Sequence, residues 1–593
     1  MSATQRALLL AGLVLLAYAN SLQGSFHYDD FHSLLNNPHL RRLGEIPRFF
    51  ADPGSFSADP EKAMYRPVLL VSYALNYAAG QYGPLGYHLV NRALHLGCAL
   101  LVWRVGLQAG ANPTGAWAAA LLFGLHPLAT EPVNYISSRS ESLAALWYLA
   151  SLSLFLGRWP GWALLCFGLG LGSKEMAITL PAALWLAEQA LGRNRGAWRE
   201  HLPFWGLGLA YVVLLWSFGL VGGGGGADPG PRDLWAQFWT QAKAGAYYLK
   251  LVAMPVGLNV EHAFSEAAGP GHPAVGLALL LLGSLVWLAW RSRRQAGVLW
   301  LALALLALLP AVVVPLNVLV NEHRLYLSLA FLAVAVGRSW DPLRRYQGYG
   351  VVLVVLCAAL VVQRNREWRD ELSLWGSAAQ HSPAMPRVHA HLGEALRRMG
   401  DLEGAQREYE TTLRLDPRHR AARTNLGNLH YERAQTQSDT AAARREYALA
   451  AAEYEQVIQL DPDYREALNN LGSIYLVLGR TAEASQVYQR VVALSPNFPE
   501  AHYNLGLALV RQGRYPEAVA AYQQALRLHP DAETWCSLGE VRLLQGQEAQ
   551  RQGAPDGGRQ QWQEAIACYQ QALALDPANT RAATRLRQLG GGR

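Results

Sequence analysis

The sequence predicts an all-α protein in which a polytopic bundle of membrane helices is followed by an α-solenoid of helical repeats. Three observations support this fold class. Residues 1–363 contain many apolar segments with lengths near the ~20 residues that a membrane-spanning helix needs. Charged residues become frequent only after Gln363, which divides the 593 residues into domains 1–363 and 364–593. In the second domain, small residues, tyrosine and proline recur every 34 residues, as in repeat proteins.

Eleven apolar segments are candidate spans, and together they predict the membrane bundle. They are centred near residues 14, 97, 122, 148, 166, 184, 212, 282, 306, 331 and 356. Two further apolar runs, 68–79 and 244–258, are too short or too interrupted to cross a bilayer comfortably. We interpret these two runs as interfacial or re-entrant segments.

The arginines of the short loops predict the orientation of the bundle. With a cytoplasmic N-terminus, the cytoplasmic loops contain Arg104, Arg158, Arg193, Arg195, Arg199, Arg291, Arg293, Arg294, Arg338, Arg344 and Arg345. Cationic short loops stay in the cytoplasm, so the remaining loops and the repeats are expected outside it. The same distribution accounts for the net charge of +7 without a nucleic-acid partner. Residues 17–19 resemble a signal-peptidase site, which leaves open whether the first span is retained.

Two adjacent carboxylates, Asp29 and Asp30, lie a few residues beyond the first span and are the candidate catalytic groups. Polar groups near a membrane are costly to desolvate and tend to be retained for function, and a carboxylate there suits a general base. The alternative is a solvated acidic cap where a helix leaves the bilayer. The sequence leaves open which of the two carboxylates is the base.

Four cations on the same predicted face are candidates for binding a lipid phosphate. Arg66, Arg139 and Arg324 carry the guanidinium fork that binds phosphate oxygens bidentately and keeps its charge. Lys174 is one of only four lysines and precedes Glu175 in a very short loop, where a charge usually has a partner or a ligand. The alternatives are arginines that extend to lipid head groups, and a Lys174–Glu175 or Lys174–aspartate pair that only holds helices together.

Further residues of these loops are expected to support the site. They are His126, Glu131, Glu141, Glu175, Glu322, His323 and Tyr326. His126 and His323 lie near acidic residues and are candidate bases or metal ligands, although a histidine at a helix end is more often structural. The metal stays unknown, and the need for a divalent cation stays open. Because many scattered residues gather on one predicted membrane face, the pattern favours an active site.

The cysteines and a glycine run predict no chemical site. The cysteines are Cys98, Cys166, Cys357, Cys536 and Cys568. They lack metal-ligand spacing, and we predict buried free thiols, with a Cys536–Cys568 disulfide as the alternative. The glycines at 222–226 lack the lysine of a phosphate loop and are interpreted as a flexible connector.

The repeats of the second domain are of the tetratricopeptide kind. Gly393, Ala405, Tyr409 and Pro417 define the frame, which recurs from Gly472 and from Gly506. Copies with insertions span 427–462 and 539–577, a half repeat spans 368–383, and a partial cap spans 584–589. Stacked repeats commonly offer a concave surface, so we expect a polypeptide acceptor or partner there, with a purely structural appendage as the alternative.

Several motifs in one order carry a resemblance to a known family. They are Tyr28-Asp-Asp30, Tyr65-Arg-Pro67, Tyr87-His-Leu-Val-Asn91, Leu125-His-Pro127, Ser138-Arg-Ser-Glu141, Lys174-Glu175 and Glu322-His-Arg-Leu-Tyr326. With these motifs and the repeats, nearly the whole chain resembles the transmembrane O-mannosyltransferases that target cadherins. The resemblance implies the C-type glycosyltransferase fold and a polyprenyl-phosphate sugar donor, and its first acidic motif, which serves the acceptor, corresponds to Asp29. The chain departs from the family at His323, which separates Glu322 from Arg324.

The resemblance therefore implies an integral membrane glycosyltransferase. It would move a sugar, with mannose as a candidate, from polyprenyl phosphate to a protein or other acceptor on the extracytoplasmic side, with inversion. Asp29 would be the base, and Lys174, Arg324 and Arg66 would bind the donor phosphate. Compact loops favour a bacterial inner membrane with periplasmic active-site loops and repeats. Two alternatives stay open: an oligosaccharide ligase with a pyrophosphate-linked donor, and a non-catalytic membrane-anchored repeat scaffold.

Overall fold

The computed structural model describes residues 1–59, 62–192, 198–220, 233–267, 269–291, 296–314, 318–340 and 347–590. The described residues form helices and loops and contain no strand, which confirms the all-α prediction. Residue contacts divide the chain into two compact units, Met1–Val388 and His389–Arg593. Outside the described residues lie the predicted glycine connector at 222–226 and the loop arginines Arg193, Arg195, Arg293, Arg294, Arg344 and Arg345.

The N-terminal unit consists of helices joined by short loops and turns. Its α-helices are α1 Ala3–Ala17, α2 Ile46–Ala51, α3 Pro67–Gly80, α4 Pro84–Gln108, α5 Pro113–Leu125, α6 Glu131–Asn134, α7 Arg139–Leu156, α8 Pro160–Leu171, α9 Leu180–Ala190, α10 Trp198–Ser217, α11 Leu234–Ala253, α12 Pro273–Arg291, α13 Ala296–Val313, α14 Tyr326–Arg338, α15 Gln347–Glu367 and α16 Glu371–His381. Proline begins α3, α4, α5, α8 and α12. Proline suits a first helical position, where its missing N–H leaves no hydrogen bond unmade.

The centre of each of the eleven predicted spans lies within a helix of this unit. Among the described residues, one helical stretch, Gly348–Glu367, is both long and apolar enough to cross a membrane. The shorter apolar helices are Ala3–Ala17, Pro113–Leu125, Pro160–Leu171, Pro273–Trp287 and Gly297–Val313. Because a span needs ~20 apolar residues, helix length and composition do not confirm the count of eleven.

Close helix packing builds the core of the N-terminal unit around α4, which contacts α5, α7 and α14. Gly115 of α5 and Gly337 of α14 lie back to back, so that a Cβ on either residue would strike the backbone of the other. Gly106 of α4 similarly lies against Ala116. A Cβ added to Gly106 would lie 3.2 Å from the Cβ of Ala116. Small residues at these positions therefore allow the backbones of neighbouring helices to come into contact.

Near the C-terminal end of the N-terminal unit, α16 packs on the rest of this unit through Leu374. Leu374, Trp368 and Tyr135 form one buried apolar cluster. The sequence prediction places the domain boundary after residue 363 and assigns 368–383 to a half repeat, whereas residue contacts divide the chain after Val388. Two side chains of α16 explain this later division, because Leu374 is buried in a cluster with Tyr135 and Glu371 lies 2.9 Å from His27.

The C-terminal unit contains five helix pairs and a final helix, as the repeat pattern predicts. The helices are α17 Pro386–Arg398, α18 Leu402–Leu415, α19 Arg420–Thr436, α20 Thr440–Leu460, α21 Arg465–Val477, α22 Thr481–Leu494, α23 Pro499–Arg511, α24 Tyr515–Leu528, α25 Ala532–Arg551, α26 Pro555–Leu575 and α27 Thr580–Gly590. The predicted insertions lengthen the second and fifth pairs, which have helices of 17 to 21 residues where the other repeats have 13 or 14.

Glycine and tyrosine of each repeat meet inside the helix pair. An added Cβ at Gly393, Gly427, Gly472, Gly506 or Gly539 would lie 2.6 to 3.0 Å from the ring of the repeat's tyrosine. Contacts below 3.0 Å are sterically forbidden, so only glycine lets the two helices close around the buried ring. The five cysteines of the chain are buried and unpaired, which confirms the predicted free thiols.

Candidate functional site

The N-terminal unit contains a cavity of about 200 Å³ at which four predicted loops meet. Asp29, Arg66, Lys174 and His323 line it, so residues nearly 300 positions apart reach one site. Its other lining residues are His32, Ser33, Phe56, Lys62, Met64, Leu69, Tyr73, Tyr135, Ser137, Ser138 and Ser140. The Asp29 carboxylate and the cations Arg66, Lys174 and Lys62 therefore share a space large enough for a phosphate or part of a sugar.

Asp29 is held at this cavity by its neighbours in the loop. Its Oδ1 lies 3.2 Å from His32 Nε2, and His32 Nδ1 lies 3.0 Å from Ser57 Oγ. Its backbone N–H donates to the Tyr135 hydroxyl at 3.0 Å. Burial acts to raise the pKa of Asp29, but its contacts with His32 and Tyr135 outweigh burial and lower the pKa below the usual aspartate value. Asp29 is therefore ionised at neutral pH and able to accept a proton.

Asp30 does not line the cavity and is completely buried. It accepts hydrogen bonds from the backbone N–H of His27 at 2.9 Å and of Ser137 at 2.7 Å, and from the Ser137 hydroxyl. Burial raises its pKa to about 6 against these hydrogen bonds. Of the adjacent pair, Asp30 joins the first loop to the start of α7, whereas Asp29 faces the cavity.

Lys174 and Arg66, the two predicted phosphate-binding residues that line the cavity, each form an ion pair with a residue of another loop. Lys174 Nζ lies 2.6 Å from Glu141 Oε1, and Arg66 Nη2 lies 3.1 Å from both carboxylate oxygens of Glu175. Lys174 therefore pairs with Glu141, and not with Glu175 or an aspartate as the alternative prediction had it. Arg66 Nε is buried and has no acceptor among the described residues, which leaves a cationic donor of this cavity residue unmatched.

His323 connects the cavity to two buried glutamates. Its Nδ1 lies 2.7 Å from Glu131 Oε1, and its Nε2 lies 3.6 Å from Glu141 Oε1. Burial and then the charge of Glu322 raise the pKa of Glu131 to about 8, while burial and the cations Lys174 and Arg324 lower that of His323 to about 3. Both shifts favour the uncharged form of the group concerned.

Two of the predicted phosphate-binding arginines have other partners in the structure. Arg139 is completely buried, and its nitrogens donate to Asn91 Oδ1 and Asn76 Oδ1 at 2.6 Å and to the Tyr87 carbonyl at 3.0 Å. Arg324 donates to the backbone carbonyls of residues 318 and 319 at 2.8 and 3.3 Å. Neither residue lines the cavity, because both guanidinium groups complete the hydrogen bonds of nearby backbone and amide groups.

The remaining predicted residues support the surrounding structure. Glu322 is fully buried, accepts from the Asn259 backbone N–H and lies 3.0 Å from His262 Nε2 and 3.5 Å from Arg364. His126 Nε2 lies 3.1 Å from the Val252 carbonyl, and the Tyr326 hydroxyl lies 2.8 Å from His95. Within the ranges that the structure describes, no three His, Cys, Asp or Glu side chains are grouped to hold a metal ion.

Several cavity residues were missed by sequence reasoning. His32 follows Asp29 by three positions, a spacing that one helical turn brings together, and Lys62 is another of the four lysines. These two signals were available in the sequence. Tyr135 and Ser137 gave no such signal, because only the fold brings their loop against the first one.

The fold and the cavity define a class of protein: a helical unit with a cavity lined by cationic side chains and a carboxylate, followed by tetratricopeptide repeats. Family models described as "TPR repeat" and "Tetratricopeptide repeat" match residues 472–513, 499–531 and 391–436. The crystal structure titled "YrrB: a TPR protein with an unusual peptide-binding site" aligns over 36% of this chain and 96% of that chain, with 18% identity and a TM-score of 0.29. The helix pairs and the family models together identify tetratricopeptide repeats.

Relatives that align with 69% to 73% of this chain are named protein O-mannosyl-transferases, which confirms the family resemblance predicted from the motifs. The chain is 25% identical to protein O-mannosyl-transferase F38B6.6 of Caenorhabditis elegans, over 69% of this chain and 62% of that protein. It is 26% identical to the human protein O-mannosyl-transferase TMTC1, over 73% and 57% of the two chains. The chain thus spans about three-fifths of the length of these relatives.

Proposed function

We propose that this protein is a membrane glycosyltransferase that transfers mannose from a polyprenyl-phosphate donor to a hydroxyl group of a polypeptide. The observation that carries the proposal is the shared cavity of Asp29, Arg66 and Lys174. The names of the relatives support mannose and a protein acceptor. The unmatched Nε of Arg66 supports an anionic donor, because a buried cationic donor without an acceptor calls for a ligand.

The reaction that fits these residues is a single displacement. The acceptor oxygen attacks the anomeric carbon, its proton passes to the Asp29 carboxylate, and the bond between that carbon and the donor phosphate oxygen breaks. The electron pair leaves with the phosphate, whose growing negative charge Arg66 and Lys174 offset. One displacement inverts the configuration of the sugar. His32 orients Asp29 for this role from 3.2 Å.

The membrane location belongs to this proposal as well. Large apolar side chains face outward on helices of the N-terminal unit, among them Leu209, Val213, Trp216, Leu280 and Trp287. Exposed apolar surface of this extent needs a nonaqueous environment. We therefore propose that the eleven apolar helices lie in the bilayer of a bacterial inner membrane, with the cavity on the periplasmic side. Shorter helices would then be completed by loops that the surrounding protein shields from lipid.

The decisive experiment is transfer by the purified full chain with Asp29→Asn. Wild-type protein in lipid nanodiscs is incubated with labelled polyprenyl-phosphate mannose and a panel of polypeptides containing serine and threonine. The expected result is a fall in kcat of about 10²- to 10⁴-fold in the variant, the range of general base catalysis, with an unchanged unfolding midpoint.

The matched control is Asp52→Asn, a carboxylate of the same loop. Asp52 accepts the backbone N–H of Gly54 at 2.8 Å, and an asparagine oxygen can take its place. This variant is expected to transfer at the wild-type rate. Transfer that survives Asp29→Asn would remove Asp29 from the mechanism, and absence of transfer by the wild type with every donor would favour the repeat scaffold.

A further inference from the structure

The backbone just before Asp29 has an unusual conformation. Tyr28 has a φ of 42°, in the left-handed region that side-chain-bearing residues rarely adopt. A residue in this conformation is strained and persists only where its surroundings hold it in place. The contacts of Tyr28 therefore indicate what fixes the position of the neighbouring carboxylate.

These contacts come from the segment that follows the last predicted span. We define residues 368–387 as the post-span segment. Glu371 Oε1 accepts the backbone N–H of Tyr28 at 3.2 Å, and Arg387 donates to the Tyr28 hydroxyl at 3.0 Å. The Tyr28 ring also lies edge-on to Trp375, with 6.2 Å between the ring centroids. Three side chains of one segment thus hold the left-handed residue.

The same segment holds both neighbours of Tyr28. His27 is buried, and its ring nitrogens face Glu371 Oε1 and the Trp368 carbonyl, each at 2.9 Å. Because both partners only accept, both ring nitrogens must carry protons, and His27 is an imidazolium paired with Glu371. On the other side, Trp368 stacks on Tyr135 at 5.6 Å, and Tyr135 accepts the Asp29 backbone N–H.

From this arrangement we infer that Glu371 is a positioning residue for the candidate base, Asp29, and that the post-span segment acts as a clamp on its loop. The inference rests on the proposed function, whose reacting groups Glu371 does not touch. Glu371 accepts three hydrogen bonds, from His27, from the Tyr28 backbone and from Trp375 Nε1 at 2.8 Å. The segment that leads into the first repeat helix therefore also supports the cavity.

Glu371→Gln tests the clamp with a minimal change of shape. A carboxylate only accepts, whereas an amide turns one of its two ends into a donor and cannot satisfy all three partners. A small displacement of a reacting group can cost about 10²-fold in rate, so we expect kcat to fall about ten- to hundredfold while the donor KM is unchanged. Hydrogen exchange of residues 25–33 is expected to accelerate.

The matched control is Asp370→Asn, one position earlier in the chain. Asp370 accepts from the Ser373 backbone N–H at 2.8 Å as the N-cap of α16, a position at which asparagine serves equally well. The control changes the same charge without touching residues 27–29. It is expected to leave kcat and the exchange of residues 25–33 as in the wild type.

A second pair of variants makes the test independent of folding. Tyr28→Phe removes the hydroxyl and Arg387→Met removes its donor, so the double variant is expected to lose no more kcat than the stronger single variant. Glu371→Gln with wild-type kcat and wild-type exchange would overturn the inference, and so would additive losses together with unchanged exchange. If the wild type transfers no sugar, the proposed function fails, and the exchange of residues 25–33 alone decides the clamp.

Discussion

The two units of the chain reach their packing over very different sequence distances. In residues 389–590, the repeat glycines Gly393, Gly427, Gly472, Gly506 and Gly539 each meet the tyrosine of their own helix pair. In residues 1–388, the contacts that build the cavity join His27 to Glu371 over 344 positions and Asp30 to Ser137 over 107. A destabilising substitution in a repeat should therefore affect mainly that repeat. A destabilising substitution in the network around the cavity should instead affect the whole N-terminal unit.

The largest effect is expected from the buried arginine of the N-terminal unit. Arg139→Leu leaves the acceptors of Asn91, Asn76 and Tyr87 without a donor. Each unmatched buried group costs about 1–3 kcal/mol, so the free energy of unfolding should fall by about 3 kcal/mol or more. Denaturant unfolding in detergent measures it, with Arg41→Leu as an exposed control. If Arg139→Leu were as stable as the wild type and had a raised donor KM, the result would support a phosphate-binding role for Arg139 instead.

An intermediate effect is expected from the cavity arginine. Arg66→Gln removes a charge-assisted contact worth about 1.5–3 kcal/mol, which corresponds to a donor KM raised about ten- to hundredfold. Stability should change little, because Glu175, its partner, is half exposed and stays solvated when Arg66 is replaced. Steady-state transfer kinetics measure the donor KM. Arg41→Gln, in the loop before α2, is the charge control, and an unchanged KM in Arg66→Gln would exclude Arg66 from donor binding.

The smallest and most local effect is expected in the repeats. In Gly506→Ala the new Cβ would lie 2.6 Å from the Tyr522 ring, and overpacking of this kind costs about 1–3 kcal/mol. Hydrogen exchange should accelerate in α23 and α24 and stay unchanged in α17 and α18. Gly557→Ala, where no heavy atom lies within 4 Å, is the control and should be neutral or slightly stabilising. Hydrogen exchange that accelerates equally in all repeats would contradict the prediction that the effect stays within one repeat.

How much of the site was predictable differs from residue to residue. Asp29, Arg66, Lys174 and His323 were candidates from their types and positions, and the structure brings them to one cavity. Arg139 was an equally good candidate by residue type, yet it is buried among amide and carbonyl acceptors. Residue type indicates which chemistry is available, while the direction of a side chain depends on packing that no local pattern contains.

By itself, the sequence determined the helical class, the positions of the apolar helices and the frame of the repeats. These features follow from hydrophobic runs and from a period of 34 residues, both of which act over short stretches of chain. Only the tertiary structure decided that Asp29 faces the cavity while Asp30 is buried, and that Lys174 pairs with Glu141. The reason is physical, because burial and ion pairing depend on which distant segments pack together. Of two adjacent residues in a loop, one can therefore line a cavity while the other is buried.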